Sequence, residues 1–200
     1  MILMFPVKTY IQITQGYSSS HTAIDMGHCS LSRWNNNSLV INKQLPFDGI
    51  NHEIVAPADG TVVAVRNNYP TQDSSGNSLG NYVTIDHGSG IRTTHGHMVM
   101  GSIPVSVGDS VVQGQKIGNM GTTGHSTGVH LHTYVTLNGN RVNPLDYYYA
   151  YPFQALGTSI INGEFMIHYY NPSPIPWTPR KTKFKWVLYA RKLRNNIEKR

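Results

Sequence analysis

From Ile54 to Val142 the chain is a succession of short β-branched runs, each broken by Gly, Asn or Pro, and no segment there carries a helical period. Gly60-Thr-Val-Val-Ala-Val-Arg66, Asn81-Tyr-Val-Thr-Ile-Asp86, Gly108-Asp-Ser-Val-Val112 and His130-Leu-His-Thr-Tyr-Val-Thr-Leu137 are the clearest. Runs of this length bounded by turn formers read as strands, and Asn138-Gly139 is a strong signal for a tight hairpin. The expected fold is therefore all-β, built on antiparallel sheet in a sandwich-like domain. Two polar stretches, residues 27–51 and 67–80, read as surface loops, and Pro144 closes the β region.

Two hundred residues suffice for one domain with a sizeable core. The first apolar stretch, Met1 to Val7, holds Pro6 and ends at Lys8, so it is too short for a transmembrane helix or the apolar core of a signal peptide. Charge divides the chain. Residues 151–200 carry 9 Lys or Arg against 2 Asp or Glu, whereas residues 1–150 carry 7 against 8. Two regions are expected: a near-neutral domain over residues 1–150 and a basic extension over residues 151–200. Within the extension, Trp186, Ala190, Leu193 and Ile197 form a helical stripe among Lys and Arg, while Lys183-Phe-Lys-Trp186 alternates like a strand. Such a segment either packs on the domain or attaches it to anionic wall polymers, a membrane or a partner chain. No nucleic-acid motif accompanies the basic charge.

Cys29 is the single cysteine, so an internal disulfide and a multi-cysteine zinc site are both excluded. Any metal must be held by His and carboxylates, and the chain has ten histidines. Alternate side chains of a strand share a face. His130 and His132 therefore project together, with Leu131 opposite, and His95 and His97 do likewise around Gly96. His21 and Asp25, four apart, fall on one face of an extended segment with Ala23 between them. Two imidazoles and a carboxylate make a three-ligand shell that leaves a fourth zinc position open for catalysis. A fourth protein ligand from His28 or Cys29 would close that position. His52, His87, His125 and His168 read as surface or hydrogen-bonded residues, and Asp59 and Asp109 as turn residues.

The ordered set His21-Thr-Ala-Ile-Asp25, Ala56-Pro-Ala-Asp-Gly-Thr-Val-Val63, Gly80-Asn-Tyr-Val-Thr-Ile-Asp-His-Gly88, Val107-Gly-Asp-Ser-Val-Val-Gln-Gly-Gln-Lys-Ile-Gly118 and Thr123-Gly-His-Ser-Thr-Gly-Val-His-Leu-His132 resembles the lysostaphin/LytM family of zinc endopeptidases. The resemblance runs from His21 to Pro144. It implies zinc as cofactor, with His21, Asp25 and His132 as its ligands, His97 and His130 as the catalytic pair, and a groove between strands as the site. Thr93-Thr-His-Gly-His-Met98 departs from the family pattern, with His95 in place of the usual aromatic and Met98 in place of the usual Leu. His95, and His125 in its Gly-Ser-Thr loop, are candidate substrate contacts. Thirty residues separate Asp25 from Ala56, where the family has only a few.

The resemblance further implies hydrolysis of peptide bonds in bacterial peptidoglycan, in cross-bridges or stem peptides. The chain has no His-Glu-x-x-His helix, so acid–base work would fall to imidazoles, whose ordinary pKa of about 6.5 permits both directions of transfer. One of His97 and His130 would act as general base while the other stabilises the oxyanion and assists the leaving amine. The competing reading is an inactive LytM-like binding or structural protein, such as a phage tail component. Action at the cell wall without a visible signal peptide points to a bacteriophage lysin or to a virion tail enzyme docked to other tail proteins through residues 151–200, with leaderless bacterial export as the alternative.

Overall fold

The computed structural model describes residues 3–7, 11–28, 30–35, 38–42, 53–70, 78–149, 154–161 and 164–170. In chain order the strands are β1 (Leu3–Met4), β2 (Ile11–Gln15), β3 (Ile24–His28), β4 (Ser30–Asn35), β5 (Ser38–Asn42), β6 (Glu53–Val55), β7 (Gly60–Arg66) and β8 (Asn81–Asp86). There follow β9 (Ile91–Met98), β10 (Ser110–Val111), β11 (Lys116–Asn119), β12 (Leu131–Leu137), β13 (Asn140–Val142), β14 (Tyr148–Tyr149), β15 (Gln154–Ile161) and β16 (Glu164–Tyr170). One 3-10 turn, Pro144–Asp146, is capped by the Asn143 side chain and starts at Pro144, whose missing N–H costs nothing there.

Among the described residues ten strands form one sheet, ordered β10-β7-β8-β9-β12-β3-β2-β16-β15, with β13 hairpinned onto β12. The pairings within it are antiparallel, as the alternating sequence requires. The β12–β13 turn has both Asn138 and Gly139 at positive φ, the backbone that a two-residue hairpin needs and these two residues tolerate. The β15–β16 hairpin joins the sheet through the pairs His168↔Gln12 and Tyr169↔Ile11. Gln154–Ile161 and Glu164–Tyr170 of the basic extension thus continue the sheet that carries the site. The helical stripe at Trp186, Ala190, Leu193 and Ile197 lies outside the described residues, as do Cys29 and His52.

Residues 27–51 differ from the expected loop. Ser30–Asn35 and Ser38–Asn42 pair antiparallel as a separate two-stranded ribbon. Leu39-Val-Ile41 is itself a strand-forming run, masked in the sequence by the Asn and Ser around it.

The core lies under one face of the main sheet. Ile24 and Met26 of β3, Leu131 and Val135 of β12, and Val83 and Ile85 of β8 point into it, and each is essentially without exposure. The opposite positions, Asp25, His132 and Tyr134, face the other way. Leu3, Phe5 and Val7 complete the core from the N-terminal segment. That segment is held by a parallel pairing of β1 with β14, by an N–H donation from Met4 to the Pro57 carbonyl at 2.8 Å, and by one from Val55 to the Pro6 carbonyl at 2.8 Å. Leu3, Phe5 and Val7 of this apolar run thus contribute to the core, each large buried side chain adding about 1.5–3 kcal/mol.

Candidate metal centre and its histidines

The centre forms where β3 meets β12. Register pairs His132 with Asp25, and Leu131 and Thr133 with Met26 and Ile24. Cross-strand partners share a face, so His132 and Asp25 are brought side by side across 107 positions of sequence. His132 Nδ1 lies 2.8 Å from Asp25 Oδ1. His21 reaches the same carboxylate from the segment before β3, its Nε2 being 3.3 Å from Asp25 Oδ2. The expected extended segment from His21 to Asp25 is broken by a bend at Ala23. What aims His21 is a donation from its own N–H to Ser18 Oγ at 3.0 Å and one from its Nδ1–H to the Gly16 carbonyl at 3.1 Å.

Those bonds fit a cation. With its Nδ1–H given to a carbonyl, a neutral His21 presents a bare Nε2 lone pair to a carboxylate oxygen, and two acceptors facing one another are stabilised by a positive ion they share. The three donor groups converge within 4.8 Å of one another, the spacing required of ligands that each lie about 2.0–2.2 Å from zinc. Burial raises the Asp25 carboxyl, but the His132 hydrogen bond and the electrostatic influence of His132, His130 and His21 outweigh it. The net shift is downward, which favours the carboxylate form a metal needs.

His130 and His97 stand beside this centre. The His130 Nδ1–H donates to the Gly128 carbonyl at 2.8 Å, with Ser126 Oγ at 3.3 Å, and its Nε2 lies 3.8 Å from Asp25 Oδ1. The His97 ring centroid is 4.8 Å from that of His130 and 5.5 Å from that of His132. Its Nδ1–H donates to the Thr123 carbonyl at 2.7 Å. Both rings are therefore held as the Nδ1–H tautomer, which turns the Nε2 atoms to the site. Burial, followed by the nearby His130 charge, pushes His97 down to about 4, so it is neutral at physiological pH.

His95 and His97 do not share a face, contrary to simple alternation. Met98 pairs with Asn81 and His95 with Val83, a register shift that inserts an extra residue in β9. His97 sits at this bulge with φ 60, and its N–H turns to the Leu79 carbonyl at 2.7 Å. Bulges of this kind redirect a side chain. His97 is delivered to the metal face, while His95 is left underneath with no exposure, which removes it as a substrate contact. There the His95 Nε2–H donates to Thr93 Oγ1 at 3.1 Å and its Nδ1 accepts from the Thr133 hydroxyl at 3.1 Å. Burial holds it at about 3.

Several supporting residues carried no recognisable motif. Thr123 Oγ1 donates to the Met98 carbonyl at 2.7 Å and accepts from Asn81 N–H at 2.9 Å. The fully buried Asn81 ties down Tyr69 through bonds of 2.7 and 2.8 Å. Gly124, at φ +75, lets this loop press on residues 78–80, since a Cβ would come within 2.3 Å of Gly80 N and 2.4 Å of the Ser78 carbonyl. Ser126 and Thr123 lay inside the His21–Pro144 motif set, but their bonds depend on loops brought together from distant sequence. His125 is exposed next to Gly124, with its backbone N–H bonded to Ser78 O at 2.8 Å. His87 is buried and bonded to Asp59 O and Thr93 Oγ1. Asp59 and Asp109 accept backbone N–H groups, as turn residues do.

Residues 47–144 match the family described as peptidase family M23. This part of the chain, just under half of it, belongs to peptidase family M23. The M23 region is 38% identical over 92 residues to the peptidoglycan DD-endopeptidase ShyA of Vibrio cholerae, covering 46% of this chain and 19% of that protein. It is equally identical, over 92 residues, to an uncharacterised metalloprotease of Haemophilus influenzae, covering 46% and 18%. Among solved structures, a zinc-containing peptidase from Vibrio cholerae superposes with a TM-score of 0.52 at 27% identity, over 72% of this chain and 39% of that one. The M23 chain thus spans under a third of the length of the curated relatives it matches. The family match begins after His21 and Asp25, so these two ligands enter the M23 site by pairing geometry. No helix among the described residues is long and apolar enough to cross a membrane.

Proposed function

We propose that the chain is a zinc-dependent endopeptidase that hydrolyses peptide bonds in bacterial peptidoglycan, acting at the cell wall. The observation that carries this reading is the joining of two features: a two-His, one-Asp group within 4.8 Å, and two further imidazoles whose Nδ1 atoms are committed to carbonyls beside it. When bound, zinc supplies Lewis acidity toward the scissile carbonyl and toward water. His21, Asp25 and His132 would hold it.

His97 and His130 would do the proton work. A neutral imidazole with its Nδ1–H bonded to a carbonyl offers Nε2 as a base and becomes a donor once protonated. One of the pair takes the proton of the attacking water at Nε2, and the other, entering the step with a solvent-derived proton on its Nε2, donates a hydrogen bond to the developing oxyanion. A proton then passes to the nitrogen of the breaking C–N bond, so the acyl fragment leaves as a carboxylate and the other as an amine. The Thr123 and Gly128 carbonyls stabilise the positive charge on each ring in turn. Peptidoglycan as substrate is supported by the similarity to the DD-endopeptidase ShyA named above. His125, on an exposed loop, is a candidate contact for the substrate peptide. The net positive charge of residues 151–200 supports attraction to anionic wall polymers or to a neighbouring chain in a larger assembly.

The test measures zinc content and turbidity loss of purified walls together. The unaltered chain is expected to clear walls, to stop on chelation and to recover with zinc, while Asp25→Ala loses both metal and activity. Full zinc content in Asp25→Ala would remove Asp25 from the shell. A zinc-loaded chain that clears no walls and releases no amine would leave the inactive, binding-protein reading in its place.

A further inference from the structure

The site face of the main sheet continues beyond the metal centre. Pairing places Asp25, His132 and Gly96 in one row across β3, β12 and β9, then Tyr82 opposite the β9 bulge, then Arg66 on β7. A groove of about 410 Å³ follows this row, lined by Tyr134, Thr84, Tyr82, Leu79 and Arg66 among others. Tyr134 begins it, its ring 6.2 Å from that of His132. Gly96 lies buried beneath Leu79, which stands 3.1 Å from where a Cβ would be and itself lines the groove.

Arg66 ends the groove. It is exposed, and its guanidinium carbon lies 5.4 Å from the Tyr82 ring centroid and 5.8 Å from that of Tyr69. Contact through ring faces orients a guanidinium while leaving its in-plane N–H groups available for a carboxylate. Among the described residues no acid pairs with it. The nearest acid on the same face of β8, Asp86, is already bonded to Arg92 at 2.8 Å and to Gly88 N–H at 2.8 Å. The other cation beside the groove, Arg141, lies 3.0 Å over the Tyr134 ring, so the groove presents two cations and no uncompensated described carboxylate.

We propose that this groove binds an acidic stretch of the peptide substrate, with Arg66 as the specificity-determining anchor for a carboxylate some four residues from the bond that is cut. The distance follows from the sheet: three strand spacings separate His132 from Arg66, about 14 Å, which an extended peptide covers in about four residues. The inference rests on the peptidase reading and adds to it a preference for acidic over amidated stems.

The test uses the full chain loaded with zinc and two soluble cross-linked wall fragments that differ only in whether one stem carboxylate is free or amidated. Arg66→Gln is expected to raise KM for the free-acid fragment about tenfold with kcat within about twofold, the effect of losing one charge-assisted contact formed equally in substrate and transition state. The amidated fragment should keep its KM, and Arg66→Lys should recover part of the loss as a point charge without the fork. An unchanged KM for the acid fragment, or an equal rise for both, overturns the proposal. Should the unaltered chain cut neither fragment, the peptidase reading fails, and Arg66 is judged by equilibrium binding of the uncross-linked acid and amide stems to both proteins. Equal affinity of the unaltered chain and Arg66→Gln for the acid stem would then overturn it.

Discussion

On the outer face of the β9–β12 pair, His97 and His132 lie with ring centroids 5.5 Å apart and join His21, His130 and Asp25 around one point. On the inner face of the same pair, His95 and Thr133 sit opposite one another, both with no exposure, within a line of hydrogen bonds. The inner line has one direction. The Asp59 carbonyl can only accept, so His87 donates from Nδ1 and accepts from Thr93 at Nε2. Thr93 then accepts from His95 Nε2–H, His95 Nδ1 accepts from Thr133, and Thr133 accepts from the Tyr148 phenol at 2.8 Å. Every buried polar atom in that line is satisfied with both imidazoles neutral, and burial enforces the neutral state. The outer rings each spend one nitrogen on a fixed oxygen and keep the other for a metal or a substrate. The same residue type thus serves packing on one face and chemistry on the other, and what differs is whether both ring nitrogens are committed.

Substitutions on the outer face should cost activity. His97→Ala and His130→Ala are each expected to retain zinc and lose about a hundredfold or more in kcat/KM, the scale of an acid–base group. Metal loss in either variant would move that residue into the ligand shell. A milder break is Gly124→Ala, which crowds the Gly80 and Ser78 backbone and disturbs the Thr123 carbonyl under His97. A loss of about tenfold in kcat with zinc retained is expected, since small displacements of a positioned group cost up to about a hundredfold. Unaltered kcat would show that Thr123 does not govern His97.

Substitutions on the inner face should cost stability instead. Thr133→Val removes the hydroxyl joining His95 to Tyr148 and leaves two buried groups without a partner. Denaturant unfolding should show a loss of about 1–3 kcal/mol, with zinc content intact and kcat/KM little changed. A large fall in activity at unchanged stability would erase the distinction between the faces.

The smallest effect is one of pH. His95 is near 3 in the folded chain against about 6.5 when unfolded. Between those values the unfolded chain binds a proton that the folded chain refuses. Stability therefore falls as pH drops from about 6.5 toward 3, by up to about 1.4 kcal/mol per pH unit for this one proton. His95→Gln should flatten that acid limb, measured as unfolding free energy at pH 7, 6 and 5. An unaltered slope would place the acid sensitivity in other groups, with His97 the first to examine.

Much of this molecule is legible in local sequence. Alternation alone puts His130 and His132 on one face with Leu131 in the core, because a strand's side-chain period is a property of the backbone and needs no partner. Asn138-Gly139 specifies its hairpin in the same local way. The ribbon of Ser30–Asn35 and Ser38–Asn42 was hidden because its apolar run is short and its flanks are polar. His95 and His97 could not be told apart by alternation, since a bulge is created by how β9 meets β8 and by the Leu79 carbonyl that takes the His97 N–H.

The sequence by itself determined which residues were available for chemistry: ten histidines, a lone cysteine, and the His-x-x-x-Asp and His-x-His spacings that a three-ligand zinc shell uses. Only the tertiary structure decided which of them meet. Asp25 joins His132 through the β3–β12 register, His21 is aimed by a bend and the Gly16 carbonyl, and His97 is turned outward while His95 is sealed beneath. The physical reason is range. Side-chain alternation is set within a few bonds, whereas register, bulges and carbonyl orientation are set by segments that touch only once the sheet has closed.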